Sequence, residues 1–203
     1  MTGFRARRPF TAALAAAAFL SFALAAHAAW IPVKAQLAQW LIERSWESAL
    51  AGGTAPAPWP WADTRPAALL EAPAHGVRLF VLEGNSGRNL AFGPVFSDGT
   101  AQGRDMVING HRDTHFRFLQ ALQPGDRIRV RRGATSAWYA VAQTDVVDSR
   151  TRDLVIDPGL DRLSLVTCFP FDSPSAGGPL RYVVTALPAG DGGISPRRSP
   201  SSG

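Results

Sequence analysis

A single cysteine is all the thiol this chain has across 203 residues. That scarcity excludes an internal disulfide and any cysteine-rich zinc site. Acidic residues are scattered, and no run has the ligand spacing of a calcium loop. The formal excess of +5 charges forms no stripe. It is spread over Arg5, Arg7 and Arg8 at the start, Arg197 and Arg198 near the end, and strand-like runs between. Without interleaved aromatics or a recognisable motif, no nucleic-acid partner is expected. Nothing calls for a cofactor or a metal.

Long apolar runs are missing too, with one exception. Phe10 to Ala29 carries no formal charge and matches the roughly 20 residues needed to cross a bilayer. Arg5, Arg7 and Arg8 precede it, which would keep that flank cytoplasmic and the remainder outside. Residues 1–33 therefore read as an uncleaved signal anchor in preference to a removed signal peptide, although Ala26-His27-Ala28 has a small-x-small form. The expected location is the inner membrane, single-pass, with the rest of the chain on the periplasmic side.

Residues 34–52 read as an amphipathic juxtamembrane helix, with Leu37, Trp40, Leu41, Ile42, Trp46 and Leu50 near helical spacing and Gly52-Gly53 as its end. Its apolar face could lie on the bilayer or on the globular domain. Residues 53–74 hold Pro56, Pro58, Pro60, Pro66 and Pro73, and read as an extended connector rather than strand or helix. The Trp59-Pro60-Trp61 run is too apolar for a free linker and is expected to pack on the domain.

Short β-type runs then alternate with turns over 75–188. They are Val77 to Leu82, Met106 to Asn109, Asp126 to Val130, Trp138 to Ala142, Val146-Val147, Leu154 to Ile156, Leu163 to Thr167 and Tyr182 to Thr185. One helical turn is expected near Phe116 to Leu122. The class is mainly β, a closed or nearly closed barrel with short helices. Residues 189–203 are mostly Gly, Ser, Pro and Arg and read as a disordered tail.

The lone Cys168 closes the apolar run Ser164-Leu165-Val166-Thr167. Arg181 opens the next run, and His111 follows the short run ending Asn109-Gly110. A thiol, an imidazole and a guanidinium on neighbouring strands suffice for acyl transfer through a thioester. At ordinary pKa values about 3% of thiols and about 25% of imidazoles are charged at pH 7, so a nearby permanent cation would help the thiolate. Arg181 could also hold a developing oxyanion, while His111 protonates a leaving amine and later deprotonates an incoming one.

These residues resemble the sortase signature: a T-L-x-T-C strand, an arginine on the next strand and a histidine after Gly. Here it reads Ser164-Leu165-Val166-Thr167-Cys168, Arg181 and Gly110-His111. Gly110-His111-Arg112-Asp113-Thr114-His115-Phe116, Leu90-Ala91-Phe92-Gly93-Pro94 and Gly178-Pro179-Leu180-Arg181-Tyr182 are similar to the single, proteobacterial-type class. Ser164 replaces the usual first threonine, and Asn109 stands where a smaller residue is common. The resemblance implies an eight-stranded sortase-like β-barrel. It also implies a protein substrate with an LPxTG-like sorting signal, cleaved after threonine, and an amine acceptor that the sequence does not identify. It makes Cys168, His111 and Arg181 catalytic and places Thr167, Phe169, Gly177 and Gly178 beside the substrate. Asp113 and Asp172 are both candidates to orient His111.

Rival readings fare less well. His111 and His115 have zinc-ligand spacing, but Arg112 stands where a zinc peptidase needs glutamate. His115 remains a rival to His111 as the reacting imidazole. An L,D-transpeptidase would place Ser-His-Gly directly before its cysteine, where this chain has Leu165-Val166-Thr167. A membrane-tethered barrel that binds extended peptides without cleaving them is the non-enzymatic alternative.

Overall fold

The computed structural model describes residues 36–173 and 177–190, with isolated positions 18, 19, 21 and 33. The anchor expected over 1–33 and the tail beyond 190 lie outside the described residues. Among those described, no helix is long and apolar enough to cross a membrane. The chain divides into two compact units, Met1–Trp40 and Leu41–Gly203. In the first, residues 36–40 are helical.

The second unit is a closed barrel with strand order β1-β2-β3-β4-β7-β8-β6-β5. The strands are β1 (Pro66–Ala72), β2 (Val77–Leu82), β3 (Val95–Phe96), β4 (Asp105–Asn109), β5 (Arg127–Arg132), β6 (Thr135–Asp148), β7 (Arg162–Cys168) and β8 (Leu180–Ala189). Neighbours pair antiparallel except β2 with β3 and β4 with β7, which are parallel. Alternate strand residues fill the interior: Leu70, Val81, Phe96, Ile108, Ile128, Leu165 and Val184 share one core cluster, as the two-residue strand period requires.

A second cluster lies on the outer face of β1 and β2. Helical residues 41–50 (α1) bring Ile42 and Trp46, four apart on one helix face, onto Leu69, Phe80, Leu82 and Val95. The domain, then, receives the apolar face of this helix. Trp59 packs its ring 4.9 Å from that of Phe92. Trp61 stays 81% exposed, so only half of the Trp-Pro-Trp run is buried.

Three local readings are corrected. The connector read over 53–74 contains β1, and the barrel starts at Pro66 rather than residue 75. Proline opens this strand, a position where a missing ladder donor is tolerated. Because α1 covers its outer face, β1 is buried on both sides and shows no alternation. The two runs Trp138 to Ala142 and Val146-Val147 are one strand: the pairing of β6 with β8 shifts register between Val141 and Gln143 and then continues. Leu154 to Ile156 is no strand. It lies in the β6–β7 loop, and Val155 is 74% exposed. The expected turn near Phe116 is a 3₁₀ helix at Arg117–Ala121.

The strands that carry the candidate residues are pinned at their starts. Asp105 of β4 faces Arg162 of β7 in register, and the Arg162 fork donates Nε to Oδ1 at 2.9 Å and Nη2 to Oδ2 at 2.6 Å. Asp105 is 1% exposed. Burial works to raise its pKa, but the Arg162 bonds and the Asp157 N–H outweigh that and hold the carboxyl below the ordinary range. A depressed carboxylate stabilises the fold above the unfolded pKa of about 3.9, and that contribution disappears as pH falls through the lower folded value. Asp105→Ala is therefore expected to lower stability by about 3 kcal/mol at pH 7, since it strands a partly buried guanidinium. Urea melts of both proteins should show the gap narrowing below about pH 4.

Candidate active site

β7 ends on Cys168 and β8 begins with Leu180 and Arg181. In their antiparallel register Cys168 stands opposite Arg181, and Thr167 opposite Tyr182. Directly opposed residues have Cα atoms about 4.5–5.5 Å apart. The side-chain alternation that sends Leu165 into the core turns Val166 outward, and Cys168 shares the Val166 face. Cys168 is partly exposed.

His111 arrives from the other side of β7. The parallel pairing of β4 with β7 runs to Asn109 opposite Val166 and continues as Gly110 N–H donates to the Val166 carbonyl at 3.1 Å. The Thr167 hydroxyl then donates to the Gly110 carbonyl at 2.7 Å. His111 follows directly, exposed and two residues past the end of β4. Cys168, Arg181 and His111, remote in sequence, thus stand at the same end of three adjacent strands.

The His loop turns tightly because Gly110 has no side chain. A Cβ there would lie 2.6 Å from the ring of Phe116, which is fully buried and whose N–H donates to the His111 carbonyl at 3.0 Å. Gly110→Ala must displace that ring or the loop. It should destabilise the protein by about 1–3 kcal/mol, read as a lower melting temperature with His111 moved.

Arg112 is 5% exposed and makes four hydrogen bonds. Nε and Nη2 reach Asp113 Oδ1 and Oδ2 at 2.7 and 3.0 Å, Nη1 reaches the Pro170 carbonyl at 2.7 Å and Nη2 the Ser173 carbonyl at 2.9 Å. The Arg112 bonds hold the Asp113 carboxyl below the usual range. Since Arg112 occupies both its oxygens, Asp113 is committed to that arginine. His115, by contrast, is half-buried, and burial first and the His111 charge second lower its imidazole pKa.

The segment after Cys168 is held by aromatic contacts. The Phe169 ring stacks on Tyr182 at 6.2 Å, and Phe171 meets Tyr182 edge-on at 5.1 Å. Gly177 and Gly178 have φ of +99° and +87°, a conformation that side chains disfavour. The Gly178 carbonyl accepts from Arg181 Nη1 at 2.7 Å, and the Leu180 carbonyl from the same nitrogen at 2.9 Å.

Beside these residues runs a groove of about 510 Å³. Val107, Val166 and Val183 contribute apolar floor, the Leu154–Ile156 stretch forms a wall, and Arg181 is among the lining residues. Asn109 lines it too, its Nδ2 donating to Ser97 Oγ at 2.7 Å. That gives the sequence departure at this position a place on the groove.

Of the seven residues named from sequence, Cys168, Arg181 and His111 converge. Phe169, Gly177 and Gly178 flank them in the same loop. Thr167 is 2% exposed with its hydroxyl engaged by Gly110, so its side chain supports the His loop from within. Sequence reasoning passed over Arg112 and Tyr182. Their partners lie on other strands and loops, and the one legible signal was an arginine set between the histidine and an aspartate.

The family model for the sortase domain matches residues 70–189. Sortase D of Bacillus subtilis (strain 168) is 29% identical over 123 residues, covering 57% of this chain and 60% of that protein. The chain thus spans 60% of the length of the curated relative it matches. A Clostridium perfringens sortase D5 transpeptidase has a similar structure, with TM-score 0.54 and 25% identity over 62% of this chain and 80% of that one. Sortase C-1 from Actinomyces oris is similar as well, with TM-score 0.52 and 27% identity over 62% and 75% of the two chains.

Proposed function

Because the chain belongs to the sortase family, we propose that it is a cysteine transpeptidase, held at the membrane by its N-terminal segment and working on the periplasmic side. Its substrate is a protein carrying an LPxTG-like sorting signal. The observation that carries this reading is the strand register, which sets Cys168 opposite Arg181 and leaves His111, two residues past β4, at the same end of the sheet.

The Cys168 thiolate attacks the carbonyl carbon of the signal's threonine, and the carbonyl oxygen becomes an oxyanion. Arg181, anchored by the Gly178 and Leu180 carbonyls, stabilises that charge as it forms. His111 donates a proton to the glycine nitrogen as the Thr–Gly bond breaks, leaving a Cys168 thioester and a free amine. An acceptor amine enters, gives its proton to His111 and takes the acyl group, and the thiolate is restored. The groove that Arg181 helps to line, with both valines and polar side chains along it, offers a track for an extended peptide, as strand-like recognition requires.

The test is partition of product. Pooled LPxTG-like peptides are incubated with the protein, with and without hydroxylamine. The reading expects cleavage between threonine and glycine, with hydroxamate formed at the expense of the acid. Cleavage elsewhere, or none from any peptide of the pool, contradicts it.

A further inference from the structure

Arg112 is the residue of the site whose placement the transfer chemistry leaves unexplained. A nearly buried guanidinium is costly unless fully paired, and this one is paired across two loops. Asp113, its carboxylate partner, is its neighbour in the His loop. The Pro170 and Ser173 carbonyls belong to the loop that leaves Cys168. No other side chain described joins the two loops so directly, and each loop starts at a reacting residue. A planar fork fixes both distance and angle between its partners, which a lysine ammonium cannot do.

We propose that Arg112 is a positioning residue: its guanidinium clamps the His loop to the loop following Cys168 and so sets the separation of His111 and Cys168 during transfer. This inference rests on the transpeptidase reading.

Two variants of the full chain test it, Arg112→Met and Arg112→Lys, each assayed below its own melting temperature. An LPxTG-like peptide serves as donor and hydroxylamine as acceptor, and iodoacetamide labelling checks that Cys168 stays accessible. Arg112→Met is expected to lower kcat about 10²-fold with KM little changed, because a small misplacement of reacting groups has effects of that size. Arg112→Lys keeps the charge without the fork, so it should recover kcat only in part. If Arg112→Met does not fold, the kcat of Arg112→Lys decides. Wild-type kcat in either folded variant, or a loss confined to KM, would overturn the proposal. If the wild-type protein itself neither transfers acyl groups nor is alkylated, the transpeptidase reading fails first; failure of the Arg112 assignment alone leaves wild-type transfer intact.

Discussion

Cys168→Ala is expected to eliminate acyl transfer, with a loss of at least about 10³-fold in turnover, while the barrel stays folded. The sulfur is the only thiol in the chain, so no second nucleophile can take its place. Its side chain sits partly exposed at the last residue of β7, outside the interior cluster formed by Leu163 and Leu165. Removing it therefore opens no core cavity, and the melting temperature should stay close to wild type, as for substitutions away from packed interiors. Turnover and thermal melts on the same preparation measure both halves. Retained turnover would remove Cys168 from the chemistry, and a large loss of stability would make it a packing residue.

His111→Ala is expected to reduce turnover by about 10²–10⁴-fold, the range for a positioned general acid and base. The leaving glycine amine needs a proton and the incoming amine must lose one, and only a group level with Cys168 serves both. His111 stands two residues past β4, exposed and at the same end of the sheet as Cys168. His115 is four residues further along, and burial together with the His111 charge lowers its pKa. It is thus more fully neutral at pH 7 and has less of the protonated form a leaving amine requires. His115→Ala should leave kcat nearly unchanged under the same assay. If the two variants exchange behaviour, the imidazole of the reaction is His115.

Much of this site was legible because its chemistry stands at the ends of strands with strong local signals. Leu163 to Thr167 and Tyr182 to Thr185 are β-branched and apolar, so the positions of Cys168 and Arg181 relative to them follow from the sequence. The closed barrel followed from the repetition of such runs. What escaped the sequence depended on distant partners. β1 was hidden between Pro66 and Pro73, because the cover that α1 gives its outer face erased the alternation that would have marked it. The β6 strand was divided at Gln143-Thr144-Asp145, where a bulge and groove-facing polar residues interrupt the apolar pattern. Leu154 to Ile156 has strand composition but no sheet partner, and it serves as a groove wall instead. Arg112 was invisible for the same reason. Its meaning lies in two carbonyls of another loop, and no periodicity along the chain reports those.

The relation of Arg112 to Asp113 also changes how the aspartates are read. Asp113 serves as the counter-charge of a clamp, with both oxygens committed. Gly110 and Thr167 belong to the same support, one by leaving room for Phe116 and the other by bonding the Gly110 carbonyl. Cys168 and His111 are thereby held through backbone and buried side chains, the kind of support that pre-organised catalysis uses.

The most direct test of the account is intact-mass analysis of the protein mixed with pooled LPxTG-like peptides, with Cys168→Ala alongside. The account predicts a mass increase equal to a peptide acyl fragment ending in threonine, on the wild-type protein alone, mapped to Cys168 and discharged by hydroxylamine. An adduct on both proteins, or no adduct while iodoacetamide labels Cys168 freely, would contradict it.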